Sequence, residues 1–201
     1  TNGFDAADFV GLTAEKPAKF TIGYSGTFYF TAESKPGGYR RLLGFDRKDQ
    51  RIYETYSPKF LFQALSELFT EMRAMREQTE VVFTGPGCQK IGGLVAEYGL
   101  ESNVDLRGWV EYRESLSMLC NSHLLILALS RGEESAGWIP SKLFQYLGAG
   151  TPVLALVPPG DVADIVQETS AGAVAPPDDV GAIKQALRTA FAEFSSGTSS
   201  F

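Results

Sequence analysis

The amino-acid sequence predicts an α/β domain built on a parallel, doubly wound, Rossmann-like sheet. Strand-like and helix-like segments alternate along most of the 201 residues, as the crossovers of a parallel sheet require. Residues 123–129 form an unbroken apolar run, as in a strand covered on both faces. Residues 135–157 read as a loop, a helix opened by Pro140, a stop at residues 148–150 and a second buried strand. In sheets of this kind ligands lie beyond the carboxyl ends of the strands, near the reversal in strand order.

In chain order, residues 19–29 are rich in β-branched and aromatic side chains and predict the first strand. Residues 31–55 break the rhythm. There Lys35, Arg40, Arg41, Arg47, Lys48 and Arg51 stand against Glu33, Asp46, Asp49 and Glu54, six minus four or +2, in a chain of −6. This segment reads as a basic loop, either solvated or folded as a flap over the site. Residues 58–77 place Phe60, Leu61, Ala64, Leu65, Leu68, Phe69, Met72 and Met75 at helical spacing, a core stripe. Residues 80–84 predict a strand ended by Gly85, Pro86 and Gly87, then a helix to Tyr98 with Gly99 as its stop.

Residues 104–110 are a third strand with its exit loop, and 111–121 a helix with Leu116 and Leu119 inward. His123 opens the fourth strand and is expected to be structural. A strand at 153–157, a helix at 161–169, a strand at 172–175 and a helix at 180–194 complete the pattern, with 195–201 as a disordered tail.

Composition narrows the function classes. Hydrophobic residues at 44% suffice for a packed core, and a net charge of −6 argues against a general nucleic-acid binder. Cys88 and Cys120 lie far apart without metal-ligand spacing, as expected in a reducing compartment, and a single histidine rules out His-rich metal sites. No apolar run approaches the roughly 20 residues that span a bilayer, and no signal layout opens the chain. The expectation is a soluble, cytoplasmic protein.

The chemistry concentrates after Pro140. Ser141 and Lys142 follow it, so backbone N–H groups, a hydroxyl and an ammonium converge on one helix N-terminus, a ready anion site. Pro140, Lys142, Leu143, Phe144, Tyr146, Gly150, Pro152 and Val153 together resemble a known pattern. It is the Pro-x-Lys-Leu-Phe-Glu-Tyr-x-x-x-Gly-x-Pro-Val of the donor-site helix in retaining, family-4-type glycosyltransferases of the GT-B fold. Gln145 stands where that pattern has glutamate. Asn2, Gly3 and Asp5 likewise resemble the Asn-Gly-Val-Asp that follows the interdomain linker in those enzymes.

The resemblance covers most of residues 2–193 and implies that residues 31–55 are an inserted loop, since the family joins its first strand directly to a Ser-Pro helix start such as Ser57 and Pro58. It implies that the chain is the carboxyl-terminal, donor-binding half of a GT-B enzyme, with 1–15 a remnant of the linker and an N-terminal acceptor domain elsewhere. It further implies a UDP-, GDP- or ADP-sugar donor, no metal or other cofactor, and a glycan or glycolipid acceptor, as in polysaccharide biosynthesis. Membrane contact would be peripheral at most.

The implied donor-binding residues are Ser141, Lys142, Leu143 and Phe144 for the diphosphate and Gln145 for the ribose hydroxyls. Gly108, Trp109 and Val110 are expected to carry the nucleobase, and Gly26 and Thr27 to let phosphate or sugar approach the first strand's exit. The family's other glutamate, eight positions before the first, falls on Gly137. Glu133 and Glu134 in the same loop are the candidate catalytic acids, as geometric substitutes. The loss of the acids leaves an alternative, a non-catalytic nucleotide-binding or interaction module on the same fold. Gly85 and Gly87 suggest a dinucleotide loop, but Lys90 occupies the third glycine's place. A receiver-like signalling domain would need an acidic cluster after the first strand, where Gly26 and Thr27 stand.

Overall fold

A computed structural model describes residues 3–12, 15–27, 55, 57–132 and 135–197 of the chain. The inserted loop apart from Thr55, and both Glu133 and Glu134, lie outside the described residues.

Among the described residues six strands form one sheet, β1 (Phe20–Ser25), β2 (Thr79–Thr84), β3 (Val104–Gly108), β4 (Leu124–Ala128), β5 (Val153–Leu156) and β6 (Gly172–Ala175). Every pairing is parallel, and the order is β3-β2-β1-β4-β5-β6. The order reverses between β1 and β4, so the switch point lies there, in a doubly wound sheet as expected.

Among the described residues seven α-helices flank the sheet: α1 (Lys59–Glu71), α2 (Arg73–Gln78), α3 (Gly92–Glu97), α4 (Tyr112–Asn121), α5 (Ser141–Ala149), α6 (Asp161–Glu168) and α7 (Val180–Ser196), the last of them after β6. Strand side chains alternate between two cores. Phe20, Ile22, Val81, Phe83, Ile126 and Leu154 pack under α1, α2, α3 and α7. Val82, Leu125, Leu127, Val153 and Ala155 pack under α4, α5 and α6. Leu116 and Leu119 of α4 are buried there, as their spacing predicts. Gly23 is the small residue on that face of β1, where an added Cβ would come within 2.3 Å of Ser122 Oγ and 2.9 Å of Met118 Sδ.

Three local differences from expectation have physical content. The long helix over 58–77 is broken at Met72 (φ −132, ψ 87) into α1 and α2, although neither glycine nor proline stands there to announce it. The helix after β2 begins as a 3-10 turn, Cys88–Ile91, before α3. Ser195 and Ser196, expected in the tail, form the last turn of α7; Ser195 Oγ donates to the Phe191 carbonyl at 2.8 Å, and Gly197 at φ 67 ends the helix. Residues 198–201 lie outside the described residues. His123 is structural: its Nδ1 accepts from the Thr21 N–H at 3.0 Å and its ring lies 4.8 Å from that of Phe194.

Candidate functional site

The loop from β4 to α5 brings a helix N-terminus to the carboxyl end of the switch-point strands. Pro140 (φ −72, ψ 143) is the residue before the helix rather than its first member, and α5 starts at Ser141. Leu143 and Tyr146, fully buried, fix the helix against the sheet, each such burial being worth roughly 1.5–3 kcal/mol. Tyr146 also clamps β1. Its hydroxyl accepts from the Ser25 N–H at 3.1 Å, and burial pushes that phenol's pKa well up. Gly150 at φ 63 closes the helix in the left-handed conformation that glycine adopts without strain.

Between this helix and the exits of β1 and β4 lies a cleft of about 730 Å³. Tyr24, Ser25, Gly26 and Thr27 form one wall, and Gly137, Trp138, Ile139, Pro140, Ser141, Lys142 and Gln145 the other, with Ala128 and Leu129 between them. The volume falls within the range of small-molecule sites, roughly 300–1,000 Å³.

Lys142 is the electrostatic centre. Its Nζ donates to the Tyr24 hydroxyl at 2.9 Å and lies 4.4 Å from the centre of the Tyr24 ring. Burial pulls its pKa down to about 8, and among the described residues no carboxylate offsets that desolvation. The Tyr24 hydroxyl in turn donates to the Thr27 carbonyl at 3.3 Å, so β1's exit loop and the lysine are joined through one phenol. Gly26 has a structural reason to be glycine. At φ +142, a Cβ there would stand 2.8 Å from Lys142 Nζ.

Five of the expected donor-site residues therefore meet in this cleft: Gly26, Thr27, Ser141, Lys142 and Gln145. Leu143 and Phe144 do not line it. Leu143 points into the core and its N–H donates to the Pro140 carbonyl at 3.0 Å, closing the first turn. Gly108, Trp109 and Val110 sit at the end of β3, an edge strand two places from β1, and are not in the lining either. Gly108 sits at φ +78, a left-handed backbone conformation that itself favours glycine. Trp109 is 68% exposed. Gly137 lines the cleft, and a Cβ there would meet nothing within 4 Å.

Sequence reasoning missed Tyr24 and Trp138. Tyr24 reads as an ordinary strand residue, and only the topology brings it to a lysine 118 positions away. Trp138, 45% exposed on the cleft wall, had a local signal in an aromatic residue flanked by glycine within the signature loop. No group of His, Cys, Asp and Glu among the described residues is placed to hold a metal ion. No described helix is long and apolar enough to cross a membrane.

Comparison with known proteins agrees with this architecture. Sucrose-phosphate synthase from Thermosynechococcus elongatus superposes with a TM-score of 0.52 at 21% identity, over 94% of this chain and 39% of that one. WaaG, a glycosyltransferase involved in lipopolysaccharide biosynthesis, gives 0.56 at 17% identity, over 94% and 42%. TarM from S. aureus, in a complex that includes UDP, gives 0.55 at 14% identity, over 98% and 34%. The chain thus spans 34–42% of the length of these structures, and at such identities the likeness establishes the fold, that of GT-B glycosyltransferases. No curated protein sequence matches significantly. Residues 51–193 match the family described as Glycosyl transferases group 1, more than half of the chain, and the chain belongs to that family.

Proposed function

We propose that this chain is the donor-binding half of a retaining glycosyltransferase, and that its cleft holds the diphosphate of a nucleotide sugar against Lys142 and the start of α5. One observation carries the reading: a desolvated ammonium without a carboxylate partner among the described residues, at a helix N-terminus, in a cleft at the sheet's switch point. Such a site is short of negative charge. A diphosphate supplies it, with oxygens enough for the ammonium, the Ser141 hydroxyl and the N–H groups of Ser141 and Lys142 at the start of α5.

In transfer, charge builds on the departing diphosphate, and preorganised donors aimed at it can lower the barrier by several kcal/mol. The lysine and the helix terminus would provide that neutralisation without a divalent cation. The acceptor pocket would belong to a second domain, so this chain alone binds donor and transfers nothing.

Calorimetric titration with UDP, GDP and ADP tests the reading. One of the three should bind, and Lys142→Ala should cost about 1–3 kcal/mol of affinity, as for a hydrogen bond to a charged group. A variant within twofold of the wild type removes the assignment.

A second reading has its own support. No carboxylate appears among the described residues lining the cleft, and Gly137 and Gln145 occupy the places of the family's two acids. Space for a side chain exists at Gly137, so sterics do not explain the missing acid. On this reading the domain binds nucleotide and serves as a non-catalytic module. Donor turnover by the complete protein separates the two.

A further inference from the structure

Tyr24 and Lys142 belong to opposite layers of the domain. The Tyr24 ring packs with Phe20, Ile22 and Phe83 in the core under α1, α2, α3 and α7, its centre 5.6 Å from that of Phe83. Lys142 starts α5, on the other face of the sheet. The two side chains meet over Gly26, just past the end of β1. An added Cβ at Gly26 would lie 2.8 Å from Lys142 Nζ and 3.4 Å from the Tyr24 hydroxyl, so the glycine is the gap through which the lysine reaches the phenol.

The lysine needs a partner before any ligand arrives. As the second residue of α5 it sits at the positive end of the helix, which disfavours a cation, and burial disfavours the charge again. Tyr146, one turn further along α5, has its hydroxyl on the Ser25 backbone, and Ala128 and Leu129 at the exit of β4 carry no charge. Tyr24 offers the ammonium a hydroxyl oxygen at 2.9 Å and a ring face at 4.4 Å. The phenol's own proton goes to the Thr27 carbonyl at 3.3 Å, which leaves its lone pairs for the lysine.

An ammonium carries three protons, so two stay available to an anion in the cleft. We propose that Tyr24 is a positioning residue for Lys142, keeping the ammonium charged and aimed across Gly26 at the oxygens of a bound diphosphate. The proposal rests on the cleft being a diphosphate site, and it adds what sustains the charge there until the ligand comes.

Tyr24→Phe keeps the ring and removes the hydroxyl. Calorimetry on the 201-residue chain with inorganic pyrophosphate, UDP, GDP and ADP should show binding weaker by about threefold or more at pH 7, the scale of one net hydrogen bond. In a Lys142→Ala background the same change should cost nothing further, since the hydroxyl acts through the lysine. The ε-methylene NMR signal of Lys142, assigned by its absence in Lys142→Ala, reports the charge with no ligand present. It should titrate near pH 8 in the wild type and lower by about half a unit or more in Tyr24→Phe, because the hydroxyl favours the charged amine. Loosened packing alone would do the opposite, hydrating the amine and moving the titration up.

A titration unmoved or raised in Tyr24→Phe, or an equal loss of affinity with and without Lys142, would overturn the positioning role and leave the diphosphate reading standing. Should Tyr24→Phe fail to fold, the wild-type signal decides. A shift imposed by a ring whose centre lies 4.4 Å from Nζ supports the role, and a random-coil position overturns it. A wild-type chain that binds neither pyrophosphate nor any of the three nucleotides would overturn the diphosphate reading, and the role with it, before any variant is made.

Discussion

Lys142 titrates in the range where enzymes are assayed, which makes its role measurable. Burial holds its pKa at about 8. A bound diphosphate favours the ammonium and raises that value, so affinity should be full below about pH 8. Above it, affinity should fall by up to tenfold per unit until the raised pKa is passed. Titrations at pH 7, 8 and 9 should show this slope in the wild type and none in Lys142→Ala, with proton uptake in buffers of unlike ionisation heat. The placement of Ser141, Lys142 and Gln145 on one wall of the cleft was legible because it follows from their position on one helix. Tyr24 was not, because it meets a residue far away in sequence that only the fold brings near.

At the scale of elements, the exits of the first three strands are stitched together by backbone. The Gly26 N–H donates to the Thr84 carbonyl at 2.9 Å, and the Gly85 N–H to the Gly108 carbonyl at 2.6 Å. Gly85 sits at φ +125, and a Cβ there would lie 2.3 Å from the Gly26 carbonyl oxygen. Gly85→Ala should therefore cost about 2 kcal/mol or more of stability in urea unfolding and loosen nucleotide binding with it. The sequence marked this glycine as a turn or a dinucleotide loop; its closest neighbour proves to be another loop's backbone. The other elements split along the same line. Punctuation by Pro140 and Gly150 made α5 readable to within a residue, whereas the break at Met72 carries no local chemical mark and was missed.

For the molecule as a whole, α7 covers one face of the sheet and closes on the start of β1 through aromatic contacts. Phe191 and Phe194 lie 5.8 and 5.5 Å from Phe20, with His123 against Phe194. Burial holds the His123 imidazole below its ordinary pKa, with the Lys16 charge adding to the effect. The unfolded chain therefore takes up a proton before the folded one does. Stability should be undiminished above about pH 6.5 and decline as pH falls toward the folded-state value. Urea midpoints at pH 7.5 and 5.5 should differ for the wild type and differ less for His123→Phe. The fold class was visible because every level of the sequence agreed on it, from the apolar run of β4 to the alternation of elements. The cleft's far wall was less so, since it is assembled across the sheet.

The depressed basicity at the cleft has a practical corollary. Near pH 8 about half of the Lys142 side chains are neutral amines, reached through the cleft mouth. A small electrophile such as cyanate should acylate this position at a pH where ordinary lysines are almost entirely protonated. Any occupant that shields it would announce itself as a missing mass increment on one peptide, whichever base or sugar it carries.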